Sequence, residues 1–61
     1  MPNKIIKIDS VKELTTFSES TIYRLAAIDK FPKPIKLSER SSGWLEKEII
    51  DYLETRIKSR Q

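Results

Sequence analysis

Ser20, Thr21, Tyr23 and Arg24 place two short hydroxyls, one aromatic hydroxyl and a guanidinium within five residues. On a helix opening at Ser18, the short hydroxyls and that of Ser18 itself stand beside backbone amides that have no intrahelical partner. Such amides favour an anion, and a phosphate group suits them. An arginine one turn further in can reach two acceptors on a guanine edge, a contact worth roughly 1–3 kcal/mol of discrimination. The competing reading is a plain amphipathic helix with a solvated outer face. A face shaped only by solubility would more often carry Lys and Glu.

A basic stretch follows. Between Arg24 and Arg40 lie five cations (Arg24, Lys30, Lys33, Lys36, Arg40) and two acids (Asp29, Glu39), a net of +3 that equals the formal charge of the whole chain. Singly, Lys30, Lys33 and Lys36 read as solubilising charges. Together with Arg40 at a hairpin tip they fit a clamp on a phosphate backbone, and arginine usually leads a tip into a narrow minor groove. Trp44, flanked by Leu45 and backed by the last helix, reads as core rather than as a base-stacking platform.

Other chemistry finds little material. The chain has no histidine, no cysteine and one glycine, which removes the usual zinc ligands, disulfides and any glycine-rich phosphate loop. The acids of the last helix, Glu46, Glu48, Asp51 and Glu54, could in principle pair for proton transfer or hold a hard cation. On a solvated helix face they read as ordinary surface charges. The expectation is a protein that is not an enzyme and takes neither cofactor nor metal.

The elements that must position these residues can be traced along the chain. Sixty-one residues allow one small domain, 1–61, which buries only about 60% of its unfolded surface. Residues 1–8 form an N-terminal arm or an edge strand around Lys4-Ile5-Ile6-Lys7-Ile8. A first helix spans 10–16, with Ser10 and Glu13 as a capping box and Val11 and Leu14 on one face. A reading helix spans 18–29, capped by Ser18, with Phe17 and Ile22 as a hydrophobic staple. Ile22, Leu25 and Ala26, with Asp29 at the end, share its inner side, while Glu19, Ser20, Tyr23, Arg24 and Ala27 share the other.

Pro32 forces Phe31 out of the helical region and ends that helix; Phe31-Pro32-Lys33-Pro34 is extended and stiff. A hairpin over 35–45 follows, with Ile35-Lys36-Leu37 alternating as a half-buried strand and its tip near Glu39-Arg40-Ser41. A C-terminal helix spans 46–59, where Leu45 just before it, Ile49, Tyr52 or Leu53, and Arg56 or Ile57 recur at three- and four-residue steps. Its acids come first and its bases last, which suits the helix dipole. The fold class is mainly α with a small β-hairpin, a winged helix-turn-helix.

No apolar run approaches the ~20 residues of a membrane span, and Met1 to Ile8 is too short and polar for a secretory signal. With 34% charged and 38% hydrophobic residues and an isoelectric point near 9.4, the chain reads as cytoplasmic, with an acidic partner such as DNA.

The order Val11-Lys12-Glu13-Leu14, Ser18-Glu19-Ser20-Thr21-Ile22-Tyr23-Arg24-Leu25, Phe31-Pro32-Lys33-Pro34-Ile35-Lys36-Leu37, Arg40 and Gly43-Trp44-Leu45 resembles the AlpA family over about Ile8 to Arg56. These are small phage and prophage regulators related to excisionases and to the MerR-type winged helix. The resemblance implies a bacterial, nucleoid-associated DNA-binding protein. It would activate an integrase gene, or bend DNA beside attachment sites for excision. By position it assigns Ser20, Thr21, Tyr23 and Arg24 to the reading helix, and Arg40 with Ser41 and Ser42 to the wing. Phe31, Pro32 and Trp44 fall at structural positions. Two departures stand out. Thr16 occupies a turn that commonly holds glycine, and Glu19 a position that is often basic. A carboxylate there repels phosphate unless it accepts from a cytosine amino group.

Two functions are therefore expected. One is sequence-specific binding of double-stranded DNA through Ser18, Ser20, Thr21, Tyr23, Arg24, Lys30, Lys33, Lys36, Arg40, Ser41 and Ser42, with copies side by side on the duplex. The other is an adaptor that docks an integrase, another recombinase or RNA polymerase through the acidic face of the last helix.

Overall fold

A computed structural model describes residues 4–60. Its elements run β1 (Ile5–Ile6), α1 (Ile8–Thr15), α2 (Glu19–Ala27), β2 (Ile35–Ser38), β3 (Ser41–Leu45) and α3 (Glu46–Ser59). The architecture is a winged helix-turn-helix: three helices and a small antiparallel sheet of order β1-β3-β2. No helix among the described residues is long and apolar enough to cross a membrane.

The lysine-flanked isoleucines at the N-terminus form a paired strand, and residues 1–3 of the expected arm lie outside the described residues. Ile5 pairs with Leu45 and Ile6 with Trp44. Strand alternation then turns Ile6 and Trp44 inward, 6% and 0% exposed, while Ile5 stays on the outer face at 44%. The preceding residue is also used: the Lys4 carbonyl accepts from the Glu46 amide at 2.8 Å. It thereby satisfies one of the orphan donors at the start of α3, which has no side-chain cap.

α1 begins two residues before the predicted range 10–16, and its N-cap falls three residues before Ser10. Lys7 occupies the N-cap position without a side-chain bond, and the Val11 amide donates to the Lys7 carbonyl at 3.1 Å. Ser10 is inside the helix, so the box with Glu13 does not form. Packing explains the shift, because only Lys7 separates β1 from α1 and the inward seating of Ile6 and Ile8 sets the chain's direction. The buried pair is Val11 and Thr15, not Val11 and Leu14, which is 40% exposed. Thr15 is tolerated inside because its hydroxyl donates to the Val11 carbonyl at 2.8 Å and accepts from the Phe17 amide at 3.2 Å.

Both helices of the motif end in left-handed residues that are not glycine: Thr16 at φ 64° and Asp29 at φ 62°. The Thr16 amide donates to the Lys12 carbonyl at 2.7 Å, closing α1. After α2, the Asp29 amide donates to Ala26 and the Lys30 amide to Leu25, at 3.2 and 2.9 Å. That pair of bonds is a Schellman motif with aspartate where glycine is usual. It ends α2 at Ala27, two residues before the predicted limit.

The core comprises Ile6, Val11, Ile22, Ala26, Phe31, Trp44 and Ile49, with Ile8, Phe17, Leu25, Tyr52 and Leu53 packed against it. Phe31 is central. Its ring meets Tyr52 of α3 at 4.8 Å and Phe17 at 6.2 Å, both edge-on. α3 contributes nothing buried beyond this region: Ile57 is 55% exposed and Arg56 is exposed, so its last turn projects.

The wing departs from simple alternation. Ile35 pairs with Gly43 and Lys36 with Ser42, but Ser38 pairs with Ser41, leaving Leu37 as a bulge. Leu37 is consequently 42% exposed instead of half-buried.

Candidate nucleic-acid interface

The Ser18 cap fixes the start of α2. Its Oγ accepts from the Thr21 amide at 3.3 Å and donates to Thr21 Oγ1 at 2.9 Å. Ser20 Oγ lies 3.4 Å from Ser18 Oγ. Ser18 and Thr21 are thus engaged with each other, Thr21 half-buried, and they shape the helix end more than they offer free hydroxyls. Ser18 and Ser20 are both exposed, and Ser20 makes only the long contact to Ser18.

Inner and outer faces of α2 separate cleanly. Ile22 and Ala26 are buried and Leu25 is half-buried, whereas Glu19, Ser20, Tyr23, Arg24 and Ala27 are exposed. Tyr23 is 41% exposed, and its ring lies 5.8 Å from that of Trp44. This contact ties the outward side of α2 to the root of β3. Trp44 is itself held by donating from Nε1 to the Pro32 carbonyl at 2.9 Å, so one buried indole locates α2, the proline segment and the wing together.

The cations divide into engaged and unengaged groups. Lys33 pairs with Asp29 at 3.0 Å, and Lys36 Nζ donates to the Glu39 carbonyl at 2.9 Å across the wing turn. Arg24, Lys30 and Arg40 are exposed and form no ion pair among the described residues. Arg40 occupies the tip between β2 and β3. Ser41 and Ser42 are half-buried on β3, and Ser42 lies directly across the ladder from Lys36.

Lys7 belongs to this region although sequence reasoning left it out. Its Nζ donates to Ser41 Oγ at 3.2 Å, 34 residues along the chain. The signal was present in a lysine bounding the isoleucine pair, but its place beside the wing depends on β1 pairing with β3.

The acids of α3 form a different surface. Lys47 and Asp51 pair at 3.0 Å, while Glu48 and Glu54 stay exposed. A shallow groove beside them is lined by Pro32, Lys33, Ile35, Glu48, Asp51 and Tyr52, among others. No group of three or more acids stands close enough to hold a metal ion among the described residues.

Residues 4–57 match the family described as prophage CP4-57 regulatory protein (AlpA). The chain belongs to the AlpA family. That match takes in every element from β1 to most of α3, so the N-terminal strand and the wing both fall within the AlpA unit. Uncharacterized protein ORF88 of Enterobacteria phage P4 is 29% identical over 58 residues, covering 95% of this chain and 66% of its own length. The chain thus spans just under two thirds of the length of that phage relative.

Proposed function

We propose that this chain is a sequence-specific, double-stranded DNA-binding regulator of a phage or mobile element, acting in the bacterial cytoplasm at the nucleoid. α2 enters the major groove, with Arg24 toward a guanine edge and Ser20 and Tyr23 beside it. Arg40 sits against the adjacent minor groove, and Lys7, Lys30, Lys33 and Lys36 meet phosphates. Ser18 and Thr21 hold the helix start at which an anion is favoured. Ser41 and Ser42 frame the wing. In this role the chain controls an integrase gene or bends DNA as an excisionase-type factor, with copies side by side on the duplex. Its work is binding, not catalysis.

The observation that carries the reading is the outer face of α2. A helix fixed by a side-chain cap and a buried inner face presents an exposed arginine with no ion-pair partner among the described residues. Membership of the AlpA family supports it independently.

Fluorescence anisotropy of a labelled mixed-sequence duplex, titrated across a salt series, tests it. Log affinity is expected to fall with log salt with a slope of about −3 or steeper, at about −0.9 per neutralised phosphate. Absence of binding at low salt would sink the proposal. It would favour the second reading, an adaptor for an integrase or RNA polymerase, which the exposed Glu48 and Asp51 lining the groove beside α3 support.

A further inference from the structure

Ile28 and Ile57, each 55% exposed, are the most exposed large apolar side chains among the described residues. Ile57 lies on the projecting last turn of α3. Ile28 follows α2 directly, at its C-cap, and is preceded by the exposed Ala27. A single exposed isoleucine requires no explanation. The position of this one is informative.

At 3.6 residues per turn, Ser20, Arg24, Ala27 and Ile28 span an arc of about 100°. The buried or half-buried Ile22, Leu25 and Ala26 lie opposite that arc. The outward face is therefore graded, with a hydroxyl near its start, a guanidinium in the middle and two apolar groups at the end. Capping does not account for the apolar end. The Schellman bonds are made by Asp29 and Lys30, and the chain sends Phe31, not Ile28, into the core.

α2 has nine residues and is roughly 13 Å long at about 1.5 Å per residue. A helix with its side chains is about 10–12 Å across and the major groove is about 12 Å wide, so α2 can lie in it with its outer face toward the base edges. The one apolar group that groove displays is the 5-methyl of thymine, which aliphatic side chains recognise by contact.

We infer that Ala27 and Ile28 form an apolar reader for thymine methyl groups beside the guanine-directed Arg24. The inference rests on the DNA-binding reading and adds which bases α2 distinguishes. The preferred duplex is selected from a random-sequence pool with the full chain. Each thymine is then replaced singly by deoxyuridine, which removes only the methyl group.

At one or two positions the unaltered chain is expected to bind about fourfold more weakly, the effect of exposing one methyl-sized group. Ile28→Ser should bind the thymine duplex about as weakly and show no further loss with deoxyuridine at those positions. A selected site without thymine, or affinity unmoved by every uridine replacement, would overturn the inference while leaving DNA binding intact. An equal uridine penalty in Ile28→Ser would overturn the assignment to Ile28. Failure of the unaltered chain to bind any duplex would remove both this inference and the reading beneath it.

Discussion

α2 and α3 resemble each other in the features that sequence analysis weighs most. Each is amphipathic, carries acid in its first turn and base in its last, and buries isoleucine on its inner face. Their outward faces differ in how far the polar groups satisfy one another. On α3, Lys47 pairs with Asp51 one turn on, and the Thr55 and Ser59 hydroxyls donate to the Asp51 and Arg56 carbonyls. On α2, the internal bonds stop at the cap, and Arg24 is left without an ion pair among the described residues. Charge order along a helix reports the dipole and is common to both. Arg56 and Lys58 of α3 also lack an ion pair among the described residues, so what separates α2 is that its free arginine stands on the face that Tyr23 joins to Trp44 at the root of the wing.

Trp44→Ala should erase the comparison by removing the shared support. The fully buried indole contacts α2 through Tyr23 and holds the Pro32 carbonyl. A loss of roughly 3–5 kcal/mol is expected, comparable to the whole stability of a domain this size at about 0.05–0.15 kcal/mol per residue. Circular dichroism should then show no cooperative melting.

Arg24→Ala tests the binding side directly. It should weaken affinity for a selected duplex by roughly 1–3 kcal/mol, whereas Glu48→Ala on α3 should not weaken it. The reverse ranking in anisotropy titrations would assign the roles the other way round. Ser18→Ala removes the cap bond to the Thr21 amide and should cost about 1 kcal/mol of stability, read from urea denaturation.

Thr16→Gly should stabilise the fold. A β-branched residue at φ 64° carries strain of order 1–3 kcal/mol, partly offset by the greater entropy glycine brings to the unfolded chain. A net gain of about 0.5–1 kcal/mol would raise Tm by a few degrees in a domain this small. Lys47→Ala should have the least effect, below about 0.5 kcal/mol, because the exposed pair with Asp51 is well solvated.

The fold was legible where local chemistry and packing agree. Ser18 signalled a helix start that its side chain does cap, Pro32 marked the end of the motif, and Trp44 read correctly as core. Ser10 misled because a capping pattern competes with tertiary packing, and the seating of Ile6 and Ile8 prevailed. Leu37 misled because a bulge interrupts the period on which strand reading relies. The outer face of α2 could be read from periodicity alone. The commitments of Thr21, Lys33 and Lys36 to internal partners could not, since they depend on side-chain geometry. Lys7 was least legible of all, because its neighbour Ser41 is brought close only by pairing across most of the chain.

The chain's single glycine carries a further consequence. A Cβ at position 43 would lie 2.7 Å from Ile5 Cγ2, 3.0 Å from the Ile6 carbonyl oxygen and 3.2 Å from Leu37 Cδ1. Glycine at this position lets β1 close onto β3, turning what would be a free two-stranded ribbon into the edge of a three-stranded sheet. An isolated hairpin is marginal in water and would have to be ordered at each encounter, at an entropic cost to affinity. With β1 in place, the root of the wing is already held in the sheet before any partner arrives. Association should then be governed by how quickly the charged surfaces find one another, and not by the time a loop takes to settle.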